Sequence, residues 1–228
     1  MSAPFSVIIP TLNAADTLRA TLDALLPGVE QGMLREVVIS DGGSADATLQ
    51  IADDAGAVIV EGAKGRGGQL ARGAARAQGE WLLFLHADTQ LASDWVGAAA
   101  LHRAEHPNLA AAYALRFRAK GVAPKLVAGW ANLRTRAMNL PYGDQGLLIS
   151  RALYDYVGGY PNQPLMEDVA IAKALRGRIR LLDTYAVTGA ERYQRAGWLR
   201  QGARNLDTLI RYSFGADPEA LARRYQQR

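Results

Sequence analysis

The stretch Trp81-Leu82-Leu83-Phe84-Leu85-His86-Ala87-Asp88-Thr89 holds five unbroken apolar residues that give way to polar ones. A short run of this kind reads as a strand covered on both faces, as in a parallel sheet between helix layers. Open α/β sheets bind ligands outside the carboxyl ends of their strands. His86 and Asp88 stand at that end, so the stretch indicates both a fold class and a place for chemistry. Residues two apart on an extended chain point the same way, which predicts that the two side chains share one side.

Upstream, Phe5-Ser6-Val7-Ile8-Ile9, Glu36-Val37-Val38-Ile39 and Ala57-Val58-Ile59-Val60 are three more strand-like runs. Leu18, Leu22 and Leu25 recur at helical spacing, with a stop expected at Pro27-Gly28 and Asn13 placed to cap the helix. Ser44 or Asp46 starts a second helix. Residues 61–68, rich in glycine and basic residues, read as a loop, and residues 69–77 as a helix. Four strand–helix alternations predict an α/β fold, a Rossmann-like, mostly parallel sheet flanked by helices in a single domain. Downstream, a helix is expected from 93 to 106, a strand over 110–119 and a helix over 124–139 with Leu126, Trp130, Leu133 and Ala137 on one face. A strand-like run at 146–149, a helix over 166–176, one or two strands over 180–187 and a basic helical tail from Gly197 complete the chain.

The 228 residues carry 26 basic and 22 acidic side chains, a net charge of +4, too diffuse to indicate nucleic acid. There is no cysteine, which excludes disulfides, thiolate zinc sites and cysteine nucleophiles. With only three histidines, the sequence argues against a multi-histidine metal cage. The start shows no basic leader before a long apolar core, and no apolar run approaches the ~20 residues of a membrane span. A cytoplasmic location is the expectation. In the tail, Trp198, Leu199, Leu206, Leu209, Ile210 and Phe214 alternate with Arg200, Arg204 and Arg211. Such a helix can lie on an anionic membrane, but packing on the protein's own core is the preferred reading.

Four groups could carry chemistry. Asp41, followed by Gly42-Gly43, ends the second strand, where a ligand can approach backbone closely; a capping turn explains it equally well. Lys64-Gly65-Arg66-Gly67-Gly68 precedes a helix, and glycine-rich backbone beside two cations suits a phosphate. It is neither a Walker A loop nor a dinucleotide fingerprint. Asp88, with His86 as a possible companion, suits a divalent metal held together with substrate phosphates. Glu167-Asp168 opens a helix, where acidic residues are common for dipole reasons and where a general base could also stand.

Taken together, these segments resemble glycosyltransferase family 2, with its GT-A nucleotide-sugar fold, over most of the chain. Ser6-Val7-Ile8-Ile9-Pro10-Thr11-Leu12-Asn13 is similar to the family's opening strand and turn. Residues 39–48 resemble its Asp-Asp-Gly-Ser-Thr-Asp segment. His86-Ala87-Asp88 occupies the place of its Asp-x-Asp motif, and Gly158-Gly159-Tyr160 through Glu167-Asp168 resembles its acceptor-side segment. The resemblance implies a nucleotide-sugar donor half over residues 1–89 and an acceptor half over residues 90–228. It implies a base, uracil by expectation, held near Pro10, Thr11, Leu12 and Asn13 and by Asp41. It also implies a metal, Mn2+ or Mg2+, on Asp88 and a general base at Asp168, with Glu167 as the neighbouring candidate. Lys64 and Arg66 are added as diphosphate contacts on charge alone, and His86 as a donor contact. His86 stands where the family's motif begins with aspartate, and Gly42 where a second acidic residue is usual. No Gln-x-x-Arg-Trp motif of processive synthases is present, so transfer of a single sugar to an acceptor hydroxyl is expected. His-Ala-Asp, Gly143-Asp144-Gln145-Gly146 and Met166-Glu167-Asp168 resemble a bacterial subgroup labelled arsenosugar-biosynthesis or radical-SAM-associated glycosyltransferases. Two alternatives remain from the residues: a nucleotidyltransferase, which should carry its phosphate loop after the first strand, and a non-catalytic or hydrolytic nucleotide-sugar binder.

Overall fold

The computed structural model describes residues 3–226. Eight strands form one sheet: β1 (Phe5–Thr11), β2 (Leu34–Asp41), β3 (Val58–Glu61), β4 (Trp81–Phe84), β5 (Thr89–Leu91), β6 (Ala110–Phe117), β7 (Leu147–Ser150) and β8 (Ile179–Thr188). Their order is β3-β2-β1-β4-β7-β6-β8-β5. The first four are parallel, as their uniformly apolar runs predict. Beyond β4 the sheet is mixed: β7 runs antiparallel to β4 and β6, and β8 pairs parallel with β6 and antiparallel with β5. The chain steps from β1 outward to β3 and returns to place β4 on the other side of β1. That reversal opens a crevice at the carboxyl ends of β1 and β4, the usual ligand position in such sheets.

Strand β4 is buried on both faces. Leu82 and Phe84 pack with Ile8 and Ile149 on one side, while Trp81, Leu83 and Leu85 pack with Val7, Ile9 and Leu148 on the other. The strand ends at Phe84, and Ala87 and Asp88 form a turn into β5. The alternation rule therefore does not apply to His86 and Asp88. They nevertheless meet at one cavity, because the turn folds them there.

The helices are α1 (Ala15–Asp23), α2 (Leu26–Glu30), α3 (Thr48–Asp54), α4 (Arg66–Arg76), α5 (Trp95–Glu105), α6 (Val122–Met138), α7 (Arg151–Tyr156), α8 (Glu167–Ala174), α9 (Glu191–Ala196), α10 (Trp198–Ser213) and α11 (Pro218–Gln226). Several sequence expectations are corrected. Pro27 does not stop a helix; it sits in the first turn of α2, where a missing N–H costs nothing. Helix α3 starts at Thr48, two residues after Asp46, and α4 starts at Arg66, inside the expected loop. Asn13 does not cap α1 through its side chain, which accepts from the Ala45 N–H instead.

The largest correction concerns α10, and on α6 the structure adds the direction in which the apolar stripe faces. On α6 the buried positions are Pro124, Ala128, Ala131, Arg134 and Thr135, so the stripe Leu126, Trp130, Leu133 faces outward, with Leu126 68% and Trp130 54% exposed. Small residues let α6 sit close on β6, and polar Arg134 and Thr135 are buried because they bond inside the site. On α10, Leu209 is buried, but Leu199 and Phe214 are 87% and 89% exposed, against the expectation that this face packs on the core. Among the described residues no helix is long and apolar enough to cross a membrane.

Candidate active site

At the carboxyl ends of β1 and β2 the chain ties itself together. The Asp41 carboxylate is fully buried and accepts four hydrogen bonds: Thr11 Oγ1 at 2.7 Å, Gly43 N at 2.7 Å, Ser44 N at 2.7 Å and Ser44 Oγ at 2.6 Å. Burial raises its pKa, but these bonds, Ser44's first, outweigh burial and leave it below the ordinary value. Ser44 Oγ also accepts from Asn13 N, which Asn13's left-handed backbone (φ 51°) makes possible. Gln69 on α4 donates to the carbonyls of Thr11 and Ser40, and Arg72 donates to that of Asp41. Asp41, Gln69 and Arg72 therefore fix the shape of a crevice rim. A lone glutamine inside an alanine-rich helix gave no sign of this in the sequence.

The glycine-rich segment is not a phosphate cradle in this structure. The Gly65 N–H is donated to Gln69 Oε1 and the Gly67 N–H to the carbonyl of Gln163. A Cβ on Gly67 would lie 2.2 Å from the Pro161 carbonyl oxygen, so this glycine serves close packing of α4 against residues 161–163. Arg66 still points to the site. Its guanidinium lies 3.5 Å from Glu167, a carboxylate 2% exposed. Burial and adjacent Asp168 push the Glu167 pKa up, while Arg66 pulls it back.

Asp168 follows Glu167 in the first turn of α8, after Met166, whose backbone is left-handed at φ 64°. A non-glycine residue held there is a local strain of the kind found at working sites. Asp168 Oδ2 accepts from Gly143 N at 2.9 Å, and Oδ1 from Val169 N at 2.7 Å. Gly143 opens a short 3₁₀ turn over Gly143–Gln145. That turn is locked from beneath by Gln145, fully buried, whose Oε1 accepts from Thr135 Oγ1 at 2.8 Å. Arg134 donates to the Leu140 carbonyl and lies over the Tyr142 ring, its guanidinium carbon 3.5 Å from the ring centroid. The inner face of α6 thus fixes the amide that orients Asp168.

A cavity of about 380 Å³ brings these parts together. It is lined by Arg66, His86, Asp88, Glu167 and Asp168 and by Gly143 and Asp144 of the Gly143–Gly146 motif, all of which the sequence singled out, and by Arg192 and Tyr225, which it did not. Asp144 Oδ1 is buried without a hydrogen-bond partner, and burial first, then Asp168 and Asp88, push its pKa up to about 6 against the pull of Arg134. His86 is held well below its ordinary value by burial and by the charges of Arg66 and Arg192, so it stays neutral. Its Nε2 faces Gly143, where a Cβ would approach to 2.4 Å. Arg192 arrives because β5 pairs with β8, setting Thr89 against Thr188 and delivering the start of α9 beside Asp88. Pro10, Thr11, Leu12, Asn13, Asp41 and Lys64 do not line this cavity.

Among the described residues no group of three or more histidine or acidic side chains is arranged to hold a metal ion alone. The donor set fits a metal shared with a ligand. Asp88 offers one carboxylate, Asp144 an unpartnered oxygen and His86 a neutral imidazole, and Mg2+ or Mn2+ commonly take one or two carboxylates plus substrate phosphates.

A doubly wound parallel sheet with a carboxylate beside its switch point is the architecture of nucleotide-binding α/β proteins. Residues 6–149 match the family model described as Glycosyl transferase family 2, and the chain belongs to that family. The PGL/p-HBAD biosynthesis glycosyltransferase of Mycobacterium tuberculosis is 41% identical over 99 residues, which cover 40% of this chain and 38% of the relative. The match thus spans well under half of that relative's length. Among solved structures, a mannosyltransferase from Pyrobaculum calidifontis in complex with GDP-Man and Mn2+ aligns with a TM-score of 0.65 at 22% identity, over 89% of this chain and 64% of that one. Glucosyl-3-phosphoglycerate synthase from M. tuberculosis, with Mn2+, UDP and glucosyl-3-phosphoglycerate, aligns with a TM-score of 0.57 at 20% identity, over 82% and 70%. At such identities the likeness is one of fold, and it is the GT-A fold. Glu167 and Asp168 lie beyond the residues matched by the family model.

Proposed function

We propose that this chain moves one sugar from a nucleoside diphosphate-sugar, UDP-linked, to an acceptor hydroxyl, with inversion at the anomeric carbon. One observation carries the reading: Asp88, at the switch point of the sheet, and Asp168, eighty positions later at the head of α8, line the same cavity. Asp168, its carboxylate oriented by the Gly143 N–H, takes the proton from the acceptor hydroxyl. The hydroxyl oxygen bonds to the anomeric carbon from the face opposite the diphosphate. The carbon–oxygen bond to the phosphate breaks, and its electron pair leaves on the diphosphate. When bound, a divalent metal supplies Lewis-acid stabilisation for that departing charge, and Asp88 would hold it, with His86 and Asp144 nearest in chemistry. Arg66 faces the cavity and adds positive charge there; Lys64 does not line it. Glu167 positions Arg66. The crevice rim at Pro10, Thr11, Leu12 and Asn13, shaped by Asp41, receives the base. UDP and GDP-Man with Mn2+ in the solved relatives support this class of donor. On its His-Ala-Asp and Met-Glu-Asp motifs we place the chain with the arsenosugar-biosynthesis or radical-SAM-associated subgroup. The test is a binding screen of nucleotide sugars with and without Mn2+. A UDP-sugar should bind more tightly with metal by about tenfold or more, and Asp88→Ala should abolish the enhancement. Metal-independent binding, or an unchanged Asp88→Ala, contradicts the reading.

We also propose that the outward side of α6 rests on an anionic bilayer. It presents Val122, Leu126, Trp130, Leu133 and Met138 with Lys125 and with Arg136, which pairs with exposed Asp183, and α6 itself contains no acidic residue, so Lys125 is the charge that complements anionic lipid. Phosphatidylcholine vesicles containing phosphatidylglycerol should pellet the protein at low salt, and Leu126→Glu with Trp130→Glu should release it. Absence of the protein from the vesicle pellet at low salt refutes this.

A further inference from the structure

A second cavity, of about 540 Å³, opens on the other side of Asp88, between α9, α10 and α11. Five guanidinium groups line it: Arg192, Arg195, Arg204, Arg211 and Arg224. Against them stand the carboxylates of Asp88, Glu191 and Asp207. Asp207 is engaged by Arg211 at 2.8 Å and by Arg224 at 3.6 Å. Arg195 and Arg204 have no carboxylate within ion-pair distance among the described residues. Arginines converging on a concave site without matching acids repel one another unless an anion joins them, and guanidinium forks match phosphate and carboxylate oxygens.

The cavity's place decides which substrate carries that anion. Asp88 is the single contribution from residues 1–89; neither the crevice rim nor Arg66 reaches it. It shares Asp88, Glu191, Arg192, Gln201 and Tyr225 with the catalytic cavity, while Asp168 lines the catalytic cavity and not this one. A molecule with its hydroxyl at Asp168 would extend past Tyr225 into the arginines. Resting on the transferase reading above, we infer that this cavity is the subsite for an anionic group, phosphate or carboxylate, of the acceptor, held by Arg195 and Arg204.

Inorganic phosphate and UDP with Mn2+ serve as separate probes in titration calorimetry. Phosphate should bind the wild type, and Arg195→Ala with Arg204→Ala should weaken it by about tenfold or more, because two charge-assisted contacts are lost. The corresponding double lysine variant should recover part of the affinity, since charge without the fork remains. UDP–Mn2+ affinity should stay within about twofold throughout. A parallel loss of UDP affinity would assign the arginines to the donor's diphosphate and overturn the inference. So would phosphate binding that is absent from the wild type or indifferent to the double alanine variant. The transferase reading fails separately, through turnover that survives loss of Asp168, without touching the phosphate result.

Discussion

The two halves of the molecule hold their carboxylates in opposite ways. In the N-terminal half, Asp41 is sealed by four hydrogen bonds from its own neighbourhood and held ionised. In the C-terminal half, Asp144 is half-buried, with one oxygen buried and unpartnered and a pKa pushed up to about 6. The first arrangement shapes a rigid rim. The second keeps an unsatisfied group facing a cavity, which makes sense where a ligand is to complete it.

Substitutions can break this contrast. Asp41→Ala should give the largest effect on stability, about 3 kcal/mol, since it strands the buried hydroxyl of Thr11 and the donors of residues 43 and 44. Chemical denaturation measures it, and a loss below about 1 kcal/mol would deny Asp41 its organising role. Because the folded pKa is depressed, Asp41's contribution should be complete above the ordinary 3.8 and fade as pH falls through the folded value.

Asp144 should behave with the opposite sign. Its raised folded value means that the folded state binds the extra proton, so ionisation costs stability progressively between 3.8 and about 6 and in full above that. Asp144→Asn should therefore stabilise the free protein by about 2 kcal/mol at neutral pH and by little below the ordinary carboxylate value. Thermal melts across that range read it, and a pH-independent difference would contradict it.

Gly67→Ala sharpens the junction between the halves. The added methyl meets the Pro161 carbonyl, and overpacking of about 2 kcal/mol should outweigh the roughly 1 kcal/mol that alanine gains in a helix. At Lys64, exposed and outside both large cavities, alanine should change stability by less than about 0.5 kcal/mol.

The same contrast governs what could be read in the sequence. The first four strands are short, apolar and parallel, so local pattern determined them; Asp41 fell at the end of β2 and Asp88 in the turn that follows β4. The C-terminal half depends on pairings that no local pattern encodes. Three-residue β5 carries no periodic signal, yet its pairing with β8 brings Arg192 to Asp88. The stripe on α6 was visible, but not that it faces outward, because the inner face is built from alanines and a buried Arg134–Gln145 network. Gly67 looked like a phosphate-loop residue because close packing and phosphate binding ask for the same side chain. Glu167 and Asp168 were visible as an acidic helix start, their role came from the resemblance, and their orientation by Arg66 and Gly143 came only with tertiary structure.

The central claim is that donor and acceptor chemistry meet between Asp88 and Asp168. Asp168→Asn keeps the size of the side chain and an oxygen to accept from Gly143, while removing the base. Sugar transfer from a UDP-sugar should fall by about a thousandfold, with UDP–Mn2+ affinity within about twofold of wild type. Turnover within about threefold of wild type, or a fall matched by an equal loss of UDP affinity, would contradict the claim.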